Sequence, residues 1–78
     1  MVSYKIGTVN AYYARLSMMA VDLTADLYLN DEVLVNGRAI KIKKIKVDYE
    51  NVDCGRKGET VVVNVDFPVA DGDELMRS

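Results

Sequence analysis

Short apolar runs with a two-residue period, each closed by a turn signal, are the feature that most limits how this chain can fold. Val61, Val63 and Val65 share one parity, as expected of a strand with one buried face. The dipeptide Asn36-Gly37 is a strong hairpin signal, because both residue types tolerate positive φ. Several such strands without a long helical pattern indicate an all-β sandwich or barrel.

Residues 16–23 form the segment whose periodicity fits either a helix or a strand. Leu16, Met19 and Leu23 have the helical spacing i, i+3, i+7, which would place them on one face of a helix. The segment is short, however, and Met19, Val21 and Leu23 also alternate as a strand would that pairs back on the preceding one. We therefore predict a strand.

Two positions predict local bends. Gly7 lies inside a long strand expected over residues 4–13, where a glycine indicates a bend or a close backbone approach. The apolar alternation that runs from Ile40 to Tyr49 is shifted by one residue at Lys43-Lys44. A β-bulge there would restore the inward face and would bend the strand, as closure of a small barrel requires.

The length of the chain favours a barrel over a sandwich. Seventy-eight residues are the scale of one domain, predicted to span residues 1–78, and so few residues bury only a modest core. Closing the sheet removes exposed edges and encloses that core efficiently. We predict an all-β fold, a small closed six-stranded β-barrel.

No catalytic, cofactor or metal site is predicted. Cys54 is the only cysteine and the chain has no histidine, which excludes a disulfide framework and leaves a nucleophilic thiol without a base. Cys54 is expected in an ordinary turn. Asp71, Asp73 and Glu74 are explained by turn chemistry and are too few for a specific cation site. We therefore predict that the protein is not an enzyme.

Targeting and membrane signals are not recognisable in the sequence. Charged residues interrupt every apolar run, so no stretch approaches the roughly 20 residues that span a bilayer. The first residues lack the basic region and apolar run of a signal peptide. We predict a cytoplasmic protein without a membrane partner.

The charges are distributed unevenly, although the formal net charge is only −2. A basic stretch without any acid predicts a candidate RNA-binding face. It comprises Arg38, Lys41, Lys43, Lys44 and Lys46. The alternative is that these side chains form the solvated face of a strand and protect it from edge-to-edge pairing. Net acidity argues against general polyanion binding, and no DNA partner is expected.

Four motifs in chain order carry a resemblance to a known family. They are Ile6-Gly7-Thr8-Val9, Leu27-Tyr28-Leu29-Asn30-Asp31-Glu32-Val33, Lys57-Gly58-Glu59-Thr60-Val61 and Val69-Ala70-Asp71-Gly72-Asp73-Glu74-Leu75. Together they resemble the second domain of translational GTPases such as elongation factor Tu, a reductase/translation-factor barrel. The chain is especially similar to stand-alone and carboxy-terminal versions, including those of collagenase-like peptidases that act on RNA modification.

The resemblance implies an architecture and not a chemistry. Its Gly-Asp elements are tight turns before strands, in which the carboxylate accepts backbone N–H groups. Asn30 replaces the first usual glycine, which left-handed geometry permits, and Glu59 replaces a usual aspartate. The chain has no Gly-rich loop ending in Gly-Lys-Ser or Gly-Lys-Thr, so nucleotide hydrolysis is not implied.

Two binding functions follow as hypotheses. By resemblance, the chain is a translation- or RNA-associated module that contacts tRNA or ribosomal RNA through the basic stretch. Alternatively, it is a protein-interaction module that self-associates or docks on a larger enzyme. The hydrophobic fraction of 50% supports the alternative, because apolar residues such as Tyr13, Met18 and Met19 are then expected to form a surface patch.

Overall fold

The structure is a computed structural model that describes residues 4–77, and in this range it contains ten strands and no α-helix. A single 3-10 turn, Ala14–Leu16, joins the first two strands. In chain order the strands β1 to β10 are Tyr4–Tyr13, Met18–Leu23, Leu27–Tyr28, Glu32–Val35, Arg38–Lys41, Ile45–Val47, Glu50–Val52, Cys54–Gly55, Thr60–Asn64 and Glu74–Arg77.

Eight of the strands form one antiparallel sheet that curls into a half-barrel. Their order across the sheet is β5-β4-β10-β1-β2-β9-β6-β7, and β3 pairs with β8 in a separate two-stranded sheet. Strand β10 lies between β4 and β1 and therefore joins the two halves of the large sheet. The predicted all-β class is confirmed.

The core fills the concave side of the curled sheet and is made almost entirely of Val, Ile and Leu. The predicted inward faces are correct in β2 and β9: Met19, Val21, Val61 and Val63 are completely buried. Leu23 is also buried, whereas the neighbouring Asp22 and Thr24 are exposed. The strand interpretation of residues 16–23 is thus confirmed from Met18 onward, and Leu16 belongs to the preceding turn.

The predicted closed six-stranded barrel is wrong, because the long strand expected over residues 40–49 does not exist as one element. The chain leaves β5 at one end of the sheet and enters β6 close to the other end after only residues 42–44. The expected bulge at Lys43-Lys44 is therefore a complete interruption of the strand. The hairpin partner of β6 is the short edge strand β7.

Asn64, on β9, holds the two ends of this interruption in place. Its Oδ1 accepts hydrogen bonds from the backbone N–H groups of Lys43 at 2.7 Å and Lys44 at 3.2 Å. Its Nδ2 donates to the carbonyl oxygen of Lys41 at 3.0 Å. One side-chain amide thus satisfies backbone groups that a strand ladder would otherwise pair, which explains how the sheet can curl here without closing.

Gly7 is a place of close approach, as the sequence predicts. The register of β1 against β10 shifts between Lys5 and Gly7. A Cβ atom at Gly7 would lie 2.6 Å from Val21 Cγ1 and 3.1 Å from the carbonyl oxygen of Asp22. Only a residue without a side chain lets β1 and β2 approach this closely.

Three turns of the fold share one geometry, in which the side-chain carboxylate of the fourth residue accepts a hydrogen bond from the backbone N–H of the first residue. The third residue has positive φ, and the backbone N–H of the fourth donates to the carbonyl of the first, as in a type II turn. The first, third and fourth residues are Tyr28, Asn30 and Asp31, then Arg56, Gly58 and Glu59, and then Ala70, Gly72 and Asp73. The predicted role of the Gly-Asp elements is confirmed at all three turns, and Asn30 takes the left-handed geometry expected of it.

Candidate docking surface

A groove of about 530 Å³ crosses the outer face of the sheet. Antiparallel pairing builds it, because residues opposite each other on neighbouring strands share a face. Tyr13 of β1 lies opposite Met18 of β2, and Val62 of β9 lies opposite Lys46 of β6. This docking groove is lined by Tyr13, Leu16, Met18, Lys46, Asp48, Tyr49, Thr60 and Val62.

Exposed apolar surface is concentrated in the docking groove. Three of the five exposed large hydrophobic side chains in the described part of the chain line it. Tyr13 is 43% exposed, Leu16 67% and Tyr49 99%. Single exposed apolar residues are ordinary on a protein surface, but a contiguous group of them indicates an interaction site.

The charged groups of the docking groove balance each other. Lys46 and Asp48 are its only ionisable groups apart from the tyrosines, and neither forms an ion pair within residues 4–77. A surface for a phosphate backbone needs an excess of positive charge. The groove is therefore better suited to a polypeptide surface, where apolar contacts are surrounded by a few polar groups.

The structure brings the patch predicted from sequence together only in part. Tyr13 lines the docking groove and is exposed, Met18 also lines it but is itself buried, and Met19 is completely buried in the core. Leu16 is not part of the predicted patch, and the sequence offers Tyr49 only as a candidate stacking surface for a nucleic acid. Tyr49 continued the inward parity of the expected long strand, but it lies in the turn between β6 and β7.

The five residues of the predicted RNA-binding face do not line one common cleft. The guanidinium carbon of Arg38 lies 4.3 Å from the ring centre of Phe67, a cation–π contact that covers the nearly buried ring. Lys41 and Lys43 line a cleft with Asn64, Lys43 and Lys44 line a second cleft, and Lys46 lies in the docking groove. Within residues 4–77 none of these five side chains forms a salt bridge with a carboxylate.

Cys54 lies in strand β8, opposite Tyr28 of β3, and not in the turn that the sequence indicated. Its half-buried sulfur contacts the carbonyl oxygen of Gly55 at 3.5 Å. The proximity of Cys54, and then of Asp26, raises the pKa of Tyr28 above its ordinary value. Among the described residues, no three His, Cys, Asp or Glu side chains lie close enough together to hold a metal ion.

Residues 4–77 contain no helix with the length and hydrophobicity of a membrane span.

Comparison with known proteins finds a similarity in sequence to a longer protein. No family model matches the sequence. An uncharacterized protease of Methanocaldococcus jannaschii is 28% identical to this chain, in a match that covers 91% of this chain but only 19% of the protease. The chain thus spans about a fifth of the length of the curated relative that it matches.

Two crystal structures show the same fold. Both are of the C-terminal domain of a Geobacillus thermoleovorans protein assigned to the U32 peptidases, and both are 22% identical to this chain. The selenomethionine variant has a TM-score of 0.86 and covers 96% of this chain and 99% of its own. The other structure has a TM-score of 0.84, with coverages of 94% and 89%. The predicted resemblance to carboxy-terminal domains of peptidases is confirmed at the level of the fold; the resemblance to elongation factor Tu stays a prediction.

Proposed function

We propose that this chain is a non-catalytic accessory domain that docks on a larger peptidase-like polypeptide through the docking groove. The observation that carries the proposal is the cluster of exposed apolar side chains that line the docking groove, on β1 and on the turns that follow β1 and β6. Tyr13, Leu16 and Tyr49 expose much of their surface there. Covering such a cluster with a protein partner removes apolar area from water, which is the main favourable term in protein association.

The relatives support the identity of the partner. The fold occurs as the carboxy-terminal domain of a protein assigned to the U32 peptidases, and the matching part of the archaeal protease is a small fraction of a much longer chain. A domain of this size in such proteins lies beside a larger unit and has an interface with it. We infer that the docking groove is the surface that faces that unit.

Leu16→Glu tests this proposal, because Leu16 is exposed and its replacement leaves the core intact. We expect the wild-type chain to bind a U32-type peptidase chain of the same organism, from which any matching carboxy-terminal segment has been removed. Leu16→Glu should weaken this binding at least about tenfold, since it buries a charge in an apolar contact. Titration calorimetry gives the affinity, and sedimentation of the chain alone reports self-association.

Ala39→Glu is the matched control, because Ala39 is exposed on β5 and lies outside the docking groove. It should bind as the wild type does. Equal affinity of the two glutamate variants would contradict the proposal, as would a wild-type chain that does not bind. A stable dimer that Leu16→Glu dissociates would assign the groove to a second copy of this chain instead.

Contact with tRNA or ribosomal RNA through the basic stretch is a second candidate function. The observation in its favour is that its five cationic side chains have no carboxylate partner within residues 4–77, so their charges are available to a ligand. Binding of tRNA should then weaken steeply with salt and should be lost when Lys43, Lys44 and Lys46 are replaced by glutamate. Binding that is absent, or insensitive to these replacements, would exclude this role.

A further inference from the structure

The turn between β6 and β7 places a tyrosine where a glycine is favoured. Val47 pairs with Glu50, so Asp48 and Tyr49 form a two-residue hairpin loop. Both have positive φ, 51° for Asp48 and 69° for Tyr49. This is the pattern of a type I′ turn, in which the second position strongly prefers glycine. A bulky residue in the left-handed region is uncommon and strained.

The same fold contains the favourable version of this turn. Asn36 and Gly37 connect β4 to β5, between Val35 and Arg38, with φ values of 53° and 77°. Asn-Gly is the dipeptide that this geometry favours most. The two hairpins therefore form an internal comparison, in which only the β6–β7 turn carries a large side chain at the strained position.

No contact within the described structure offsets the strain at Tyr49. The residue is 99% exposed, so its ring buries no appreciable area, and its hydroxyl forms no hydrogen bond with another residue of 4–77. Residues in sparsely populated backbone regions persist where the fold or the function requires them. Here the fold does not require the side chain, because glycine would form the same turn with less strain.

Tyr49 lines the docking groove, and its side chain is almost completely exposed and therefore available to a partner. We propose that Tyr49 is the anchor of the docking interface: it inserts into an apolar pocket of the partner polypeptide that has a hydrogen-bond acceptor for the phenol hydroxyl. This inference rests on the proposed docking function. Tyrosine is enriched among the residues that dominate binding energy, because it combines a large apolar area with few rotatable bonds and a polar tip.

A polypeptide is the occupant that the charges favour. Lys46 and Asp48 flank Tyr49 in the groove and balance each other, so stacking on the bases of a nucleic acid would bring phosphates close to the Asp48 carboxylate. A neutral apolar pocket meets no such repulsion. Binding of RNA to this ring would refute the proposal.

Tyr49→Gly tests the backbone strain at this position and the role of the side chain in binding by two separate measurements. In the isolated chain it should raise the ratio of folded to unfolded protein, about fivefold, because relief of the left-handed strain exceeds the added flexibility of glycine. In the titration against the peptidase chain it should weaken binding by at least about 30-fold. Tyr49→Phe keeps the ring and should show a smaller loss, which reports the contribution of the hydroxyl.

Gly37→Tyr is the matched control, because a Cβ atom at Gly37 meets nothing within 4 Å and the replacement adds only backbone strain. It should reduce the folded fraction and leave the affinity unchanged. Full affinity of Tyr49→Gly together with weak binding of Leu16→Glu would refute the anchor and retain the docking groove. A wild-type chain that does not bind refutes both, and a Tyr49→Gly chain that is less stable than the wild type refutes the strain argument. Wild-type binding of tRNA that Tyr49→Gly abolishes would assign the ring to base stacking.

Discussion

Replacing Asn64 by alanine should destabilise the protein by about 2 kcal/mol. The side chain forms three hydrogen bonds across the interruption between β5 and β6, to the N–H groups of Lys43 and Lys44 and to the carbonyl of Lys41. Each is solvent-accessible, so each is worth roughly 0.5–1 kcal/mol. Against a total stability of the order of 5–10 kcal/mol for a small domain, this loss is a large fraction.

Urea unfolding followed by circular dichroism measures the effect. With a slope of about 1 kcal/mol per molar urea, the midpoint of Asn64→Ala should fall by about 2 M. Asn64→Asp keeps an oxygen that accepts from Lys43 and Lys44 but loses the donor to Lys41, so its midpoint should fall by about a third as much. The slope should stay unchanged, because the core remains intact.

Asn51→Ala is the control, because Asn51 is an exposed asparagine of the edge strand β7. Its free energy of unfolding should stay within about 0.5 kcal/mol of that of the wild type, as is usual for surface changes. The reasoning would be refuted if Asn64→Ala were no less stable than Asn51→Ala. Rapid hydrogen exchange of the Lys43 amide in the wild type would lead to the same conclusion, since that amide would then have no lasting partner.

Two further predictions concern single positions. Gly7→Ala should lower stability by about 1–3 kcal/mol, because the new Cβ would clash with Val21 Cγ1 at 2.6 Å. Thermal melting measures this change, with Thr8→Ala at the neighbouring position as the control. An unchanged melting temperature of Gly7→Ala would contradict the close packing. Hydrogen bonds from the N–H of Ala70, and then from the Asn36 amide, lower the pKa of Asp73. The stability that its carboxylate contributes is therefore fully present at pH values above the ordinary pKa of 3.8, and it is lost as the pH falls through the lower pKa of the folded protein. Urea midpoints from about pH 6 down to about pH 2 should therefore decline less steeply for Asp73→Asn than for the wild type, and identical slopes would show that the carboxylate is not preferentially stabilised.

The features that sequence predicts correctly depend on local chemistry. Alternation places Met19 and Val21 inside because the period of a strand is two, and Gly7 indicates close approach because only glycine lacks a Cβ. Asn30 takes the left-handed conformation that its place in the turn motif requires. In each case a residue and its immediate neighbours contain the information.

The features that sequence does not predict depend on distant partners. A shift in parity at Lys43-Lys44 is compatible with a bulge or with a broken strand, and the structure decides because Asn64 of another strand supplies the hydrogen bonds. Tyr49 has the parity of an inward residue, but β6 ends at Val47 and Tyr49 lies in the two-residue loop that follows it. The docking groove likewise combines segments that are far apart in the sequence, and no local pattern connects them.

The position of β10 has a consequence for how the protein is made. Glu74–Arg77 lies between β4 and β1. Until this last described strand has emerged, β4 and β5 are not paired with the other strands of the large sheet. During translation the two halves expose unpaired edges, the condition in which nascent β-proteins associate wrongly. Folding of the large sheet must therefore follow synthesis of Arg77. A nascent chain stalled on the ribosome before that point would keep the two halves of the sheet unpaired.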